Sequence, residues 1–344
     1  MKAWVIDRVT DLTQDTHPLR LADMPDPEPG DGEVLITVSV CGICHTELDE
    51  IEGRTPPPVF PVIPGHQVVG RIEKANAPDS PFRPGDRVGV GWIYDACGIC
   101  AWCTSGRENL CPDFRATGRD AHGGYAEKMT APAASLVPIP DSLPDEEAAP
   151  YLCAGAIGYR SLRLTDLENG RTLGLTGFGA SGHLVLKMAR IRFPESKIVV
   201  FARNPDEQAF ARELGAVWAG DIRQTAPFRC DAIIDTTPVW TPVVEALRQL
   251  NPGGRLVINA IRKEPADQDA LLNLDYGGHL WMEKEIKSVA NITRKDILDF
   301  MNLVSEAALN PELEMIPFEK ANEALLDLKQ GRIRGAKVLQ ISPG

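Results

Sequence analysis

The sequence predicts an α/β protein of two domains: a mostly antiparallel β domain, then a doubly wound parallel sheet flanked by helices. Three observations carry this. At 344 residues, the chain is long enough for two ordinary domains. Residues 1–150 hold 18 of the 28 prolines and show short alternating apolar runs cut by turns, "PDPEPGDG", "TPPPVFPVIPG" and "FRPGDRVGV". That is the pattern of antiparallel strands. Beyond residue 155, strand-like runs alternate with helical ones, as in a parallel sheet whose crossovers are helices.

In chain order, "EVLITVSV" (33–40) alternates as a half-buried strand and leads into "CGICHTELDEIE", where Thr46 is placed to cap a helix. "RTLGLT" (171–176) reads as a strand and is followed by a helical pattern ending near residue 191. Strand "KIVVFA" (197–202), helix "PDEQAFARELGA" (205–216), strand "DAIIDTT" (231–237) and helix "PVVEALRQL" (242–250) follow. After an "NPGG" turn come strands "RLVINA" (255–260) and "IKSVAN" (286–291). The tail holds two helical runs and a strand, "AKVLQI". The expected boundaries are 1–154, 155–290 and a segment, 291–344, that returns to the first domain.

A net charge of −12 argues against a nucleic-acid or anionic-membrane partner. "MKAWVIDRVTDLTQD" lacks the apolar core of a secretory signal, and no run approaches the roughly 18–20 apolar residues of a membrane span. The expected location is the cytoplasm, where cysteines stay reduced and serve metals rather than disulfides.

Four of the eight cysteines fall within "CGICAWCTSGRENLC" (97–111). A ferredoxin-type run has three residues before its last cysteine, whereas this one has seven. The spacing suits zinc held by Cys97, Cys100, Cys103 and Cys111. Four thiolates close the shell, so this metal folds a lobe and catalyses nothing. Of the other four, Cys44 and Cys153 stand in unusual company, "VCGICHTELD" and "PYLCAG", as does His66 in "PGHQVVG".

Between the strand at 171–176 and its helix lie Gly177, Phe178, Gly179, Ala180, Ser181 and Gly182, a G-x-G-x-x-G in strand–turn–helix context. The first glycine permits the tight turn, the second lets a pyrophosphate approach, and the third packs helix against strand. The helix N-terminus then offers free N–H groups to the phosphates. This marks 155–290 as a dinucleotide fold. Such folds place an acid at the end of the second strand to hold the ribose 2′-OH. Here that position is Ala202, followed by Arg203. A guanidinium pairs with a 2′-phosphate, so NADP is expected in preference to NAD. The competing reading has Asp206 bending back to the ribose.

Together "GICHTE", "GH-x3-G", "GDRV", "CGICAWC…C", "GGYAE", "LCAG" and "GFGASG" resemble the zinc-containing medium-chain alcohol dehydrogenases over essentially the whole chain. The stretches "CAGAIGYRSLR" and "SVANITR" resemble bacterial members, of the zinc-binding alcohol dehydrogenase-like subfamily. The resemblance implies a GroES-like catalytic domain, a Rossmann coenzyme domain, and a catalytic zinc on Cys44, His66 and Cys153. It gives Thr46 the alcohol proton, Glu47 the orientation of His66, and Trp92 a wall of the substrate pocket. Cys41 and Cys230 fall outside the ligand motifs and are expected in the core. Three protein ligands leave a fourth position where zinc lowers the pKa of a bound alcohol. The implied protein is an enzyme with two zincs per subunit, paired through its last sheet strand as a homodimer or homotetramer. It interconverts a small-molecule alcohol and an aldehyde or ketone with a nicotinamide cofactor. The competing readings are a reductase of a bulkier carbonyl compound and a non-catalytic dinucleotide sensor.

Five positions depart from the family pattern. Glu47 replaces Asp, so its bond to the histidine must be reached differently. Gln67 replaces Glu, which removes a negative charge near the zinc and makes it a harsher Lewis acid. Asp49 stands where a relay histidine is common, and an ordinary Asp pKa of about 4 suits a neutral relay poorly. Ile157 replaces a threonine that faces the nicotinamide, and Ala336 lies near a phosphate-contacting arginine position.

Overall fold

The computed structural model describes residues 1–307 and 309–342. The chain divides into two compact units, Met1–Cys153 together with the chain from Ile292 onward, and Ala154–Asn291.

The first unit is built on a seven-stranded sheet. Its order is Leu313–Pro317, Ala336–Gln340, Glu33–Ile43, Val68–Asn76, Arg87–Val90 and Val137–Pro138, with Lys128–Pro132 also paired to Glu33–Ile43. All pairings are antiparallel except that of Leu313–Pro317 with Ala336–Gln340. Strand Glu33–Ile43 runs three residues past the alternating stretch because Val40, Cys41, Gly42 and Ile43 are all buried. Fully buried strands read as continuous apolar runs rather than alternations. Ile36, Val38, Val68, Ile72, Val88, Tyr125, Met129 and Leu136 make its core. The tail is bound in twice. Asn322 exchanges two hydrogen bonds with the backbone of Leu19, 303 residues away, at 2.9 Å each. The Trp4 indole N–H donates to Phe318 O at 2.8 Å.

The second unit is a six-stranded sheet in the order Trp218–Gly220, Lys197–Phe201, Thr172–Thr176, Cys230–Asp235, Leu250–Ile258 and Glu285–Ser288. Every pairing in it is parallel. Helices Ala180–Arg192, Pro205–Glu213 and Thr241–Gln249 make the crossovers. The "NPGG" segment lies inside a strand rather than before it. Leu250 pairs with Cys230 and Arg255 with Ala232, and the residues between them bulge out, with Gly253 at φ +70°. A glycine there takes the left-handed conformation at no steric cost. Glu285–Ser288 is an edge strand with all four residues exposed. Among the described residues no helix is long and apolar enough to cross a membrane.

The turn that carries Cys153 is braced by aromatic packing. Tyr151 and Phe300 are fully buried, with ring centroids 5.3 Å apart in edge contact, and the Tyr151 hydroxyl donates to Leu309 O. Removing a buried Phe ring costs about 3–5 kcal/mol. Phe300→Ala is therefore expected to lower the unfolding free energy in urea by about that amount; a loss below ~1 kcal/mol would show that this contact does not brace the turn.

Candidate metal centre and dinucleotide loop

Cys44 sits where strand Glu33–Ile43 gives way to helix His45–Ile51. Its extended backbone makes it the N-cap, in place of the expected Thr46. The reason is the length of Glu47. One oxygen of this carboxylate accepts the Cys44 N–H at 2.7 Å, and the other lies 2.7 Å from His66 Nδ1. The longer side chain thus closes the cap and meets the imidazole together. The Thr46 hydroxyl lies 3.7 Å from Cys44 Sγ. His66 follows Gly65, which has φ +99° and whose added Cβ would run into the Tyr125 ring. No other residue type fits that turn. With Nδ1 engaged, His66 Nε2 is buried and has no hydrogen-bond partner among the described residues. Cys153 enters from the turn Tyr151–Gly155. The donor atoms of Cys44, His66 and Cys153 all lie within 4.8 Å of one another.

The electrostatics are those of a site built for a cation. The Cys153 thiol donates to Cys44, which holds Cys44 well below the usual thiol range and pushes Cys153 well above it. Burial pulls His66 down, but the Glu47 and Cys44 side chains together outweigh this and leave it well above an ordinary histidine. Burial raises the Glu47 carboxyl in spite of His66. Two soft sulfurs, one imidazole nitrogen left without a partner and a carboxylate behind that imidazole form the donor set of zinc with one position open.

The departures resolve individually. Asp49 is 2% exposed and accepts from Arg54 Nε at 2.5 Å, so its carboxylate is committed to an ion pair. Gln67 is buried, its amide against Gly42, where an added Cβ would lie 2.7 Å from the amide oxygen. Ala336 is a buried residue of its strand, and half-buried Ile157 lies on helix Ala156–Leu164 of the second unit. Cys41 and Cys230 are core residues without exposure. The ring of Trp92 packs 5.1 Å from Phe114, and the Arg119 guanidinium lies 5.8 Å from both rings. No motif marks Phe114 or Arg119 in the sequence. Nor does one mark Glu50, buried without exposure, although its place three residues after Glu47 puts both on one helix face.

In the cysteine lobe, the sulfurs of Cys97, Cys100, Cys103 and Cys111 again lie within 4.8 Å of one another. Gly98 and Gly106, at φ +74° and +67°, turn the chain around them. Backbone N–H groups of Ile99 and Cys100 point at Cys97 and lower its pKa to about 7, which favours the thiolate a metal needs.

In the second unit Gly177 takes φ +79°, and a Cβ there would meet Thr236 Oγ1 at 2.7 Å. Gly182 is close-packed, 3.0 Å from Gly177 O at its would-be Cβ. Gly179 differs, since nothing lies within 4 Å of its would-be Cβ. It caps the 13-residue helix Ala180–Arg192 with no side chain over the helix end, which leaves room and free N–H groups for a phosphate. Phe178 is buried, against Phe210; Ala180 and Ser181 open the helix. Ala202 is buried at the end of strand Lys197–Phe201, its N–H bonded to Gly220 O. Arg203 is exposed; burial pushes the Glu207 carboxyl up, and the Arg203 charge only partly opposes this. Asp206 lies in the first turn of helix Pro205–Glu213, its N–H donating to the Asn204 cap at 2.9 Å.

Known proteins share this architecture. The alcohol dehydrogenase GroES-like domain family matches residues 30–141. A probable alcohol dehydrogenase of Mycobacterium tuberculosis is 40% identical over 346 residues, spanning 99% of this chain and 97% of its own. An alcohol dehydrogenase of Geobacillus stearothermophilus is 32% identical over 355 residues, spanning 99% of this chain and all of its own. Among solved structures, a cinnamyl alcohol dehydrogenase from Sorghum bicolor superposes with a TM-score of 0.85 at 27% identity, over 98% of this chain and 97% of that one. At 40% identity over 99% of its length, the chain belongs to the alcohol dehydrogenase family, as a zinc-type medium-chain oxidoreductase.

Proposed function

We propose that Cys44, His66 and Cys153 hold a catalytic zinc, and that the chain uses it to interconvert a small-molecule alcohol and an aldehyde or ketone with a nicotinamide cofactor. The observation that carries this is the convergence of three donors from three separate segments within 4.8 Å, with the buried His66 Nε2 lacking a hydrogen-bond partner among the described residues. Bound there, zinc supplies Lewis acidity to the substrate oxygen. The protein's own groups do the rest. Glu47 fixes the tautomer and direction of His66, so that Nε2 faces the two sulfurs. The Thr46 hydroxyl, beside Cys44, takes the alcohol proton. Asp49, committed to Arg54, plays no part in passing it on. Cys97, Cys100, Cys103 and Cys111 hold a second, structural zinc, and Gly177–Gly182 seats the pyrophosphate at a helix N-terminus. Eight cysteines, none of them in a disulfide, suit the reducing cytoplasm as the location.

Metal analysis of unchelated protein tests the first claim. The expected content is two zincs per subunit, falling to one in Cys44→Ser with loss of alcohol oxidation. A content of one that Cys44→Ser leaves unchanged would refute the catalytic site. Cys100→Ala should instead cost folding, because structural zinc binding is folding free energy.

Cofactor choice rests on Arg203 and on the absence of an acid at Ala202. NADP(H) is expected to be preferred over NAD(H). A charge-assisted hydrogen bond contributes about 1.5–3 kcal/mol, so Arg203→Ala should lower kcat/KM with NADP(H) by about ten- to a hundredfold and leave NAD(H) nearly unaffected. Higher efficiency with NAD(H) in the unaltered protein, or an indifferent variant, overturns this.

The exposed edge strand Glu285–Ser288 carries Ile286 at 47% exposure, near Trp281 at 56% and Met282 at 52%. Folded proteins pair or cover such edges, and a second copy in a dimer or tetramer would do so. Light scattering should give two or four times the 37.5 kDa chain mass, and Ile286→Lys should lower it. A monomer at micromolar concentration would exclude this pairing.

A further inference from the structure

Glu50 is the buried acid for which the reaction just described has no use. It lies on helix His45–Ile51, three residues after Glu47, so the two carboxylates share a face. It has no exposure, and neither of its oxygens has a hydrogen-bond partner among the described residues. Buried polar groups are nearly always bonded, and one that is not calls for an ion, a water or a function. The charged groups around it are Glu47, His66, Cys44 and Arg119; burial and Glu47 push its carboxyl well above the usual carboxylate range, which a cation on the neighbouring donors would oppose. Of these, Arg119 is already bound to Asp120 at 2.7 Å and Glu47 to His66 at 2.7 Å. What remains is the cluster of donors on Cys44 and His66. At position 67, beside the histidine ligand, a neutral amide stands in place of the acid usual in the family, packed against Gly42.

We propose that Glu50 is a positioning residue of the metal centre, whose carboxylate supplies from the helix the negative charge that Gln67 does not, and so sets how tightly the cation on Cys44, His66 and Cys153 is held. This rests on the reading of those three residues as zinc ligands. Its consequence is that the centre is no more electron-poor than one with an acid at position 67, because the charge is relocated rather than lost. A carboxylate in a dry interior acts on a dication over several ångströms with little screening, and groups behind metal ligands commonly change metal affinity by about ten- to a hundredfold.

The test follows release of zinc to a chromogenic chelator from the zinc-loaded protein, in the unaltered chain, Glu50→Gln, Gln67→Glu and the double variant. Two kinetic phases are expected, and Cys44→Ser identifies the one belonging to the catalytic site by abolishing it. Glu50→Gln should speed that phase at least about tenfold and leave the cysteine-lobe phase unchanged. Adding Gln67→Glu to it should restore the slower release, which a side chain that merely fills space would not permit. If Glu50→Gln does not fold, Gln67→Glu alone decides, and it should slow the same phase. An unchanged catalytic phase in Glu50→Gln, equal acceleration of both phases, or failure of Gln67→Glu to slow release overturns the assignment. A single phase that Cys44→Ser leaves in place removes the metal centre itself, which is a different failure.

Discussion

The Glu47 carboxylate accepts the Cys44 N–H with one oxygen and meets His66 Nδ1 with the other, both at 2.7 Å, and has no exposed surface. Much else depends on this bridge. It starts helix His45–Ile51 at Cys44, which fixes the direction of the thiol at the strand end. It also turns the imidazole so that Nε2 points away from the carboxylate, leaving one nitrogen with no hydrogen-bond partner among the described residues. Both oxygens of Glu47 thus have partners, which offsets the cost of burying the carboxylate. Displacing either the cap or the imidazole leaves one buried carboxylate oxygen unpaired.

The two clusters of candidate metal donors are assembled in contrasting ways. Cys97, Cys100, Cys103 and Cys111 come from fifteen consecutive positions, so local turns at Gly98 and Gly106 suffice to gather them. Cys44, His66 and Cys153 come from a strand end, a Pro-Gly turn and a turn braced by Tyr151 and Phe300. Only the folded first unit brings these three together. The first cluster is a property of a peptide segment, the second a property of a core.

That contrast decides what the sequence discloses. The cysteine lobe and the glycine loop are legible because their spacing is their geometry. The trio Cys44, His66 and Cys153 is visible only through a family resemblance, since no spacing rule links positions 44, 66 and 153. The alternation of strands and helices from 171 onward marks the parallel sheet, but the "NPGG" turn proves to be a bulge within Leu250–Ile258, because Gly and Pro signal a break without saying whether pairing resumes. The cap was misplaced by two residues: Thr46 has the usual capping hydroxyl, yet the bond from Cys44 N–H to Glu47 takes precedence. Asp49 reads as a failed relay from its residue type alone, and only the Arg54 contact shows it to be half of an ion pair. Phe114, Arg119 and Glu50 leave no trace in any motif, because their importance lies in what the fold sets beside them.

Strand Ala336–Gln340 lies directly alongside the end of Glu33–Ile43, with Lys337 opposite Ile43 and Gln340 opposite Val40. During synthesis the N-terminal part of a chain emerges first and domains fold as units. The whole of Ala154–Asn291 is thus available to fold while the strand that leads into Cys44 still lacks its neighbour on one side. Until that neighbour arrives, the nascent chain displays an apolar sheet edge next to unprotected thiols. Premature termination between residues 291 and 336 would leave a finished dinucleotide fold tethered to a sheet whose edge is open beside the Cys44 thiol, a species that quality control rather than catalysis would have to handle.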